Sequence, residues 1–329
     1  MSKTAYVVEG YVPNGGTYMA YHVARILHID FGYDVRVVPV GPGVDQGHMH
    51  GLFSYDPVFP SISLGGCEGL VGEDDVLLCN PSFSMHNLGL RLRGRKLMYV
   101  QGFNTYSLLD RFFDHYVAVS GFVRGFLSQT YGIQAPVIPA FIPDNHFISH
   151  GEAVRDTVVT WESRPPLSIE MNTKGDWAHQ LLLLDRVRRE LKSKDRDLEE
   201  IIDWDAAAAR ARSRLPRDQF LERVSSARYL LTLSVAEGFG LVPLEAMGMG
   251  TVVLGFDGYG GREYMVPGQN CAAAAYPDVS GLVDGMIHAM RDPAFSQRIA
   301  AAGVETASRY TYEAFRSAWV RELGVFLSR

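Results

Sequence analysis

Apolar positions along this chain fall in short runs separated by amphipathic stretches. Ala5–Val8, Val35–Val40, Val76–Leu78, Leu97–Val100 and Tyr116–Val119 are nearly unbroken apolar runs, the pattern of strands buried on both faces. Between several of them lie stretches of helical character, Gly16–Leu27 and Gly121–Thr130. Strand and helix in alternation predict a parallel sheet covered on both sides. The pattern pauses at VIPAFIPDNHFISH, Val137–His150, whose prolines and polar residues suit a strand end followed by a linker. It resumes with Thr157–Thr160, His179–Leu191, Tyr229–Leu233, Leu241–Met247, Thr251–Leu254 and Cys271–Ala274. The fold class expected is therefore α/β, with two successive parallel-sheet units at residues 1–150 and 151–309. In the closing segment, 310–329, Ala314, Trp319, Leu323, Phe326 and Leu327 recur at helical spacing, and this helix is expected to pack back on the first unit. Residues 185–228 are dense in both charge signs and predict a solvated pair of helices.

The chain's 329 residues suit two domains, and 47% hydrophobic with 21% charged residues describes a globular protein rather than a disordered one. A formal net charge of −6 argues against nonspecific binding along nucleic acid. Cys67, Cys79 and Cys271 form no CxxC, which argues against a disulfide scaffold or zinc ribbon and fits a reducing compartment. MSKTAYVVEG lacks the layout of a signal peptide. The longest uncharged run, Gly125–Pro143, is broken by three prolines. These features lead us to expect a cytoplasmic location without an integral membrane segment.

The chemistry is concentrated in YLLTLSVAEGFGLVPLEAMGMGTVVLGF, Tyr229–Phe256. A buried strand ends near Ser234, the loop Glu237-Gly238-Phe239-Gly240 follows, and a helix begins near Leu241. Pro243 suits the first turn of that helix, and Gly248 and Gly250 suit its end. Free N–H groups at a helix N-terminus, approached through glycines, form a site for a diphosphate. Glu237 and Glu245 flank it with seven residues between them. Carboxylates beside a phosphate repel it, but they accept hydrogen bonds from sugar hydroxyls attached at its two ends. The same residues also suit an ordinary βα loop carrying two surface glutamates.

EGFGLVPLEAMGMGTVVL resembles the E-x7-E segment of retaining, nucleotide-sugar-dependent glycosyltransferases of the GT-B fold. Asn14-Gly15-Gly16 is similar to that family's early GG loop. AVSGFVRGFLSQTYGI with VIPAFIPDNHF is similar to the close of its N-terminal domain, and Gly260-Gly261-Arg262-Glu263 to its GG-x-x-E region. The resemblance implies two Rossmann-like domains facing a central cleft, with the acceptor on the first and the donor on the second. It implies that Glu245 holds the nucleotide ribose and that Glu237 contacts the donor sugar. Backbone of Gly238, Phe239, Gly240 and Leu241 would lie near the sugar or phosphate, and Gly16 would also be donor-binding. The family's Arg and Lys on the diphosphate correspond to Arg164 in TWESRP and Lys174 in NTKGDW. Each also reads as a solvated surface cation, and their spacing exceeds the family's usual one. The activity implied is transfer of a hexosyl or deoxyhexosyl unit from a nucleoside-diphosphate sugar to an acceptor hydroxyl. It would proceed with retention, without metal or cofactor, in carbohydrate or glycoconjugate biosynthesis. The donor's base and sugar and the acceptor's identity are not legible.

The chain departs from the family in one respect. Where many members place a histidine after the fourth strand, it has Tyr99-Val100-Gln101-Gly102, and Gln101 hydrogen-bonds hydroxyls but transfers no proton at neutral pH. A similar segment occurs in the branch containing rhamnosyltransferases. Gln101, His86 and Gly15 are the sugar- or acceptor-contact candidates, His86 also reading as a structural histidine. His48 and His50 point to opposite sides of an extended chain and suit an acceptor-facing loop better than a metal. Ser120 reads as an N-cap, and Arg124 as facing either solvent or the cleft. Alternatives are a nucleotide-sugar epimerase and a catalytically idle nucleotide-sugar-binding subunit. A nicotinamide dehydrogenase is disfavoured, since no G-x-G-x-x-G follows the first strand.

Overall fold

The computed structural model describes residues 3–9, 14–40, 56–143, 161, 163–172, 177–212 and 217–328. The chain divides into two compact units, Met1–Ala140 with Glu313–Arg329, and Phe141–Tyr312. The division falls ahead of residue 150, the boundary expected from the prolines.

In the first unit, β1 (Thr4–Glu9), β2 (Asp34–Pro39), β3 (Val76–Cys79), β4 (Arg95–Val100) and β5 (His115–Ala118) form one sheet in the order β2-β1-β3-β4-β5. Every pairing is parallel, with Val7 opposite Val37 and Leu78 opposite Leu97. The helix Gly15–Phe31 follows β1. Asn14 caps it by accepting from Thr17 N–H, and Gly32 ends it in the left-handed region. Its buried Met19, Val23, Ile26 and Leu27 recur at helical spacing, so one stripe faces the sheet. Glu9, the last residue of β1, is 6% exposed and its Oε2 makes no hydrogen bond. Burial alone pushes its carboxyl up to about 8.

The helix Tyr312–Ser328 buries Phe315, Trp319, Leu323 and Phe326. Trp319 is fully buried and meets Tyr99 of β4 edge-on, ring centroids 5.0 Å apart. Tyr99 in turn donates its hydroxyl to the Ile138 carbonyl at 2.9 Å. Glu322 lies 2.7 Å from His115, and Arg316 pairs with Asp30.

In the second unit, β6 (Ile169–Asn172), β7 (Tyr229–Thr232), β8 (Val252–Phe256) and β9 (Ala272–Ala274) lie in that order, again all parallel. Thr157–Thr160 lies outside the described residues, and β6 is a strand that the hydrophobic pattern does not announce. Two of its four residues are polar, yet all are buried. Glu170, 4% exposed, is accommodated by an ion pair with Arg223, whose Nε lies 3.2 Å from Oε2. The charged stretch 185–228 is more than a solvated pair of helices. Most of its described residues belong to Trp177–Lys194, Arg196–Ile201, Trp204–Arg212 and Arg217–Ser226, and these bury Val187, Leu191, Leu198, Trp204, Leu221 and Val224. Among the described residues, no helix is long and apolar enough to cross a membrane.

Candidate functional site

β7 ends at Thr232 and the chain passes through Glu237-Gly238-Phe239-Gly240 into the helix Leu241–Gly248. Gly240 takes the N-cap position at φ +86°, and no side chain caps the helix. Its first N–H groups are therefore left to other partners, the condition for an anion site. Ser234 donates its hydroxyl to Glu237 Oε1 at 2.9 Å, fixing the half-buried carboxylate beside the loop. Glu245 lies within the helix and is only 1% exposed.

A second loop, which follows β8, clamps the first. Glu237 N–H donates to the Gly258 carbonyl at 2.8 Å, and Gly260 N–H donates to the Glu237 carbonyl at 3.0 Å. The approach is so close that a Cβ on Gly260 would fall 2.3 Å from the Gly238 carbonyl carbon, so only glycine fits. Between the two glycines, Tyr259 holds φ +66° and ψ −54°, a left-handed γ-turn closed by Gly260 N–H on the Gly258 carbonyl. Asp257 braces it, accepting from Tyr259 N–H at 3.0 Å and from Arg262 Nε at 2.7 Å. The Arg262 guanidinium lies over the Tyr259 ring, 4.7 Å from its centroid.

Tyr264 joins these parts. Its hydroxyl donates to the Gly240 carbonyl, and its ring packs with Phe239 and Tyr310 at centroid distances of 5.3 and 5.9 Å. The phenol is held well above its ordinary range, by burial first and then by the negative charge of Glu237, with smaller contributions that include Glu245. The Tyr264–Gly240 hydrogen bond thus ties the Glu237 loop, at the entry of the helix that carries Glu245, to the segment after Gly260. Tyr264 and Tyr310 carry no motif, and sequence reasoning missed them.

Arg164 corrects the sequence reading. It is 3% exposed, and its guanidinium donates to the carbonyls of Ala227, Gly250 and Met249 at 3.0, 3.0 and 2.6 Å and to Thr251 Oγ1 at 3.1 Å. Ala227 precedes β7 and Thr251 precedes β8. Arg164 therefore sits at the amino ends of parallel strands whose carboxyl ends carry the Glu237 loop. It is neither a solvated surface cation nor placed to meet a diphosphate there; it locks strand entries together. Burial, with Arg228 nearby, lowers its pKa to about 10, so it stays charged at neutral pH. Lys174, like His48 and His50, lies outside the described residues.

The remaining candidates belong to the first unit. Gln101, just past β4, donates from Nε2 to the Gly16 carbonyl at 3.0 Å, bringing together the GG turn of Gly15 and Gly16 and the end of the fourth strand. His86 closes a short 3-10 helix, Pro81–His86, half-buried, with its carbonyl accepting from Arg91 at 3.0 Å. Ser120 is the N-cap of Gly121–Tyr131, accepting from Val123 N–H at 3.2 Å, and Arg124 is exposed.

Residues 212–306 match the family model of glycosyl transferases group 1, a span that contains Glu237, Glu245 and Tyr264. No curated protein sequence matches the chain significantly. Among solved structures, Anabaena Alr3699/HepE in complex with UDP and glucose is similar at TM-score 0.73 and 14% identity, over 98% of this chain and 100% of that one. A glycosyltransferase from Rickettsia africae is similar at TM-score 0.68 and 14% identity, over 99% and 98%. WaaG, a glycosyltransferase involved in lipopolysaccharide biosynthesis, is similar at TM-score 0.67 and 14% identity, over 97% and 99%. These matches lend an epimerase no support. The chain has the GT-B fold of two parallel-sheet units, and residues 212–306 of its second unit are similar to glycosyl transferases group 1.

Proposed function

We propose that this protein transfers a sugar from a nucleoside-diphosphate sugar to an acceptor hydroxyl, with retention at the anomeric carbon and without a metal. The observation that carries the reading is the Glu237-Gly238-Phe239-Gly240 turn at the carboxyl end of β7, which enters an uncapped helix carrying the buried Glu245 and is clamped by the loop after β8. Ligands of open α/β sheets bind at such ends. Glu245 takes the ribose hydroxyls and Glu237 the donor sugar, while N–H groups of the Phe239–Leu241 turn meet the diphosphate. As the glycosidic bond breaks, the developing charge stays on the leaving diphosphate, whose oxygen receives the acceptor's proton as the hydroxyl attacks from the same face. No protein nucleophile enters this scheme, so a glutamine at position 101 is compatible with it. Lys174, which follows β6 closely in sequence, is the cation proposed for the diphosphate; Arg164 is withdrawn from that role.

UDP-glucose is the first donor to test, since the similar HepE structure holds UDP and glucose. Thermal-shift titration with UDP-, GDP-, dTDP- and ADP-sugars in EDTA, followed by an assay of nucleoside-diphosphate release, examines the proposal. A bound donor raises the melting temperature by mass action. Glu245→Ala should mainly weaken donor binding and Glu237→Ala mainly lower turnover. Each loses a charged hydrogen bond of about 1.5–3 kcal/mol, roughly ten- to hundred-fold. Failure to bind any nucleotide sugar overturns the assignment, and loss of all activity in EDTA overturns its metal-free form.

A further inference from the structure

Two connections of the first unit, from β3 to β4 and from β4 to β5, carry four large apolar side chains left in water. Met85 and Leu90 belong to the first, Leu108 and Phe112 to the second, and they are 81%, 67%, 78% and 58% exposed. Met85 and Leu108 are the two most exposed large apolar side chains among the described residues. A lone exposed leucine is ordinary, whereas a contiguous apolar group marks a contact surface. These four are contiguous. Met85, Leu108 and Phe112 border one surface hollow of about 440 Å³. Leu90 follows Gly89, where an added Cβ would stand 2.7 Å from the Phe112 backbone.

The fold holds this group outward. Leu88, Leu92, Leu109 and Phe113, its neighbours in sequence, are buried and already occupy the interior. Asp110 accepts from Gly89 N–H at 2.8 Å and from Phe112 N–H at 3.1 Å, and its carbonyl accepts from the Tyr116 hydroxyl at 2.7 Å. The two connections are thereby tied together before any partner arrives. Charge then selects the kind of partner. Residues 81–114 hold five Lys and Arg against two Asp, a net +3 in a chain of net −6. Asp110 is buried within the scaffold, and Asp114 accepts from Lys96 N–H at 2.7 Å. Arg91 pairs with Glu68, but Arg93 and Arg111 are exposed and form no ion pair among the described residues. Arg111 borders the same hollow as three of the apolar side chains. Apolar side chains among cations suit a bilayer with anionic head groups, whose hydrocarbon accepts side chains of any shape. A second copy of the chain suits the patch less well, because a two-fold contact would set it against itself and bring like charges together.

We infer that this patch seats the protein on an anionic lipid surface, with Met85, Leu90, Leu108 and Phe112 entering the acyl boundary and Arg111 meeting the phosphate groups. A protein held in this way lies on the membrane and needs no spanning helix. The Glu237 loop plays no part in the contact, so lipid binding stands or falls apart from glycosyl transfer. The test is flotation of the full chain with vesicles of phosphatidylcholine, either alone or with phosphatidylglycerol as a third of the lipid. Binding is expected with the mixed lipid only, weakening as salt is added. Leu108→Ser and Met85→Ser should each lower the partition coefficient at least about tenfold, and Arg111→Gln about fivefold. Leu182→Ser, which alters an exposed leucine of the second unit, should change nothing. Melting temperatures, expected to be unchanged at these exposed positions, report folding. The lipid surface is overturned if neither vesicle binds the chain or if phosphatidylcholine alone binds it as tightly as the mixture. It is equally overturned if Leu108→Ser and Met85→Ser bind like the wild type. Sedimentation equilibrium examines the other occupant: a wild-type dimer that Leu108→Ser dissociates would assign the patch to a second copy and overturn the lipid contact.

Discussion

Replacing Glu9 by glutamine removes a carboxyl that the fold keeps protonated. Its pKa is about 8 in the folded chain against an ordinary 4.5, and burial is the cause. Below the lower value both states hold the proton and nothing is gained or lost. Between the two, the folded chain keeps a proton that the unfolded chain has released, so stability falls as pH rises. Above about 8 the loss is complete. His22 acts in the opposite sense: burial lowers it from 6.5 to about 3, so stability is lost as pH falls through that window. The two slopes oppose each other between 4.5 and 6.5, leaving Glu9 to act alone from about pH 6.5 to 8. One pH unit corresponds to 1.36 kcal/mol, so that interval drains about 2 kcal/mol from the wild type and none from Glu9→Gln. Urea denaturation of both proteins across the interval, read by tryptophan fluorescence, measures the difference, and His22 cancels in it. The stability advantage of Glu9→Gln should grow by about 2 kcal/mol toward the alkaline end. Parallel profiles would refute the reasoning, because they would mean that Glu9 ionises as freely in the fold as outside it.

Arg164→Met should destabilise the protein by at least about 3 kcal/mol, since it strands buried carbonyls at the entries of β7 and β8; donor titration of the folded variant should show unchanged affinity. Gly260→Ala forces a methyl group into the Gly238 backbone, so the two loops must separate, and nucleotide-sugar binding should fall at least about tenfold in the same titration. Trp319→Ala should cost about 3–5 kcal/mol in urea denaturation, the usual range for deleting a buried aromatic side chain.

The strands of the first unit are legible because each is an apolar run, so burial and residue type agree. β6 is not, because Glu170 lies on it and is made tolerable by Arg223, a partner far along the chain. Missing that strand has a further effect. Read after Thr157–Thr160, Arg164 falls at the carboxyl end of a strand; placed before β6, it falls at the amino end, and its chemistry changes from ligand contact to structural support. Glu237, Glu245 and the glycines between them are legible because a turn into a helix leaves a local signature. Tyr264 is not, since its part depends on which distant loops its ring reaches. Gln101 reads as a sugar contact in isolation; the sequence does not announce that its Nε2 also donates to the Gly16 carbonyl, a partner 85 residues away.

Residues 313–329 complete the first unit although they are made after all of 141–312. Emerging from the ribosome, the N-terminal sheet lacks Trp319, and Tyr99 waits without its aromatic neighbour. The second unit is contiguous and has no such dependence, so it can reach its final form first. Completion of the first unit therefore waits for the end of translation, and a nonsense change near codon 313 would leave that earlier-made unit without its last helix while removing none of the second.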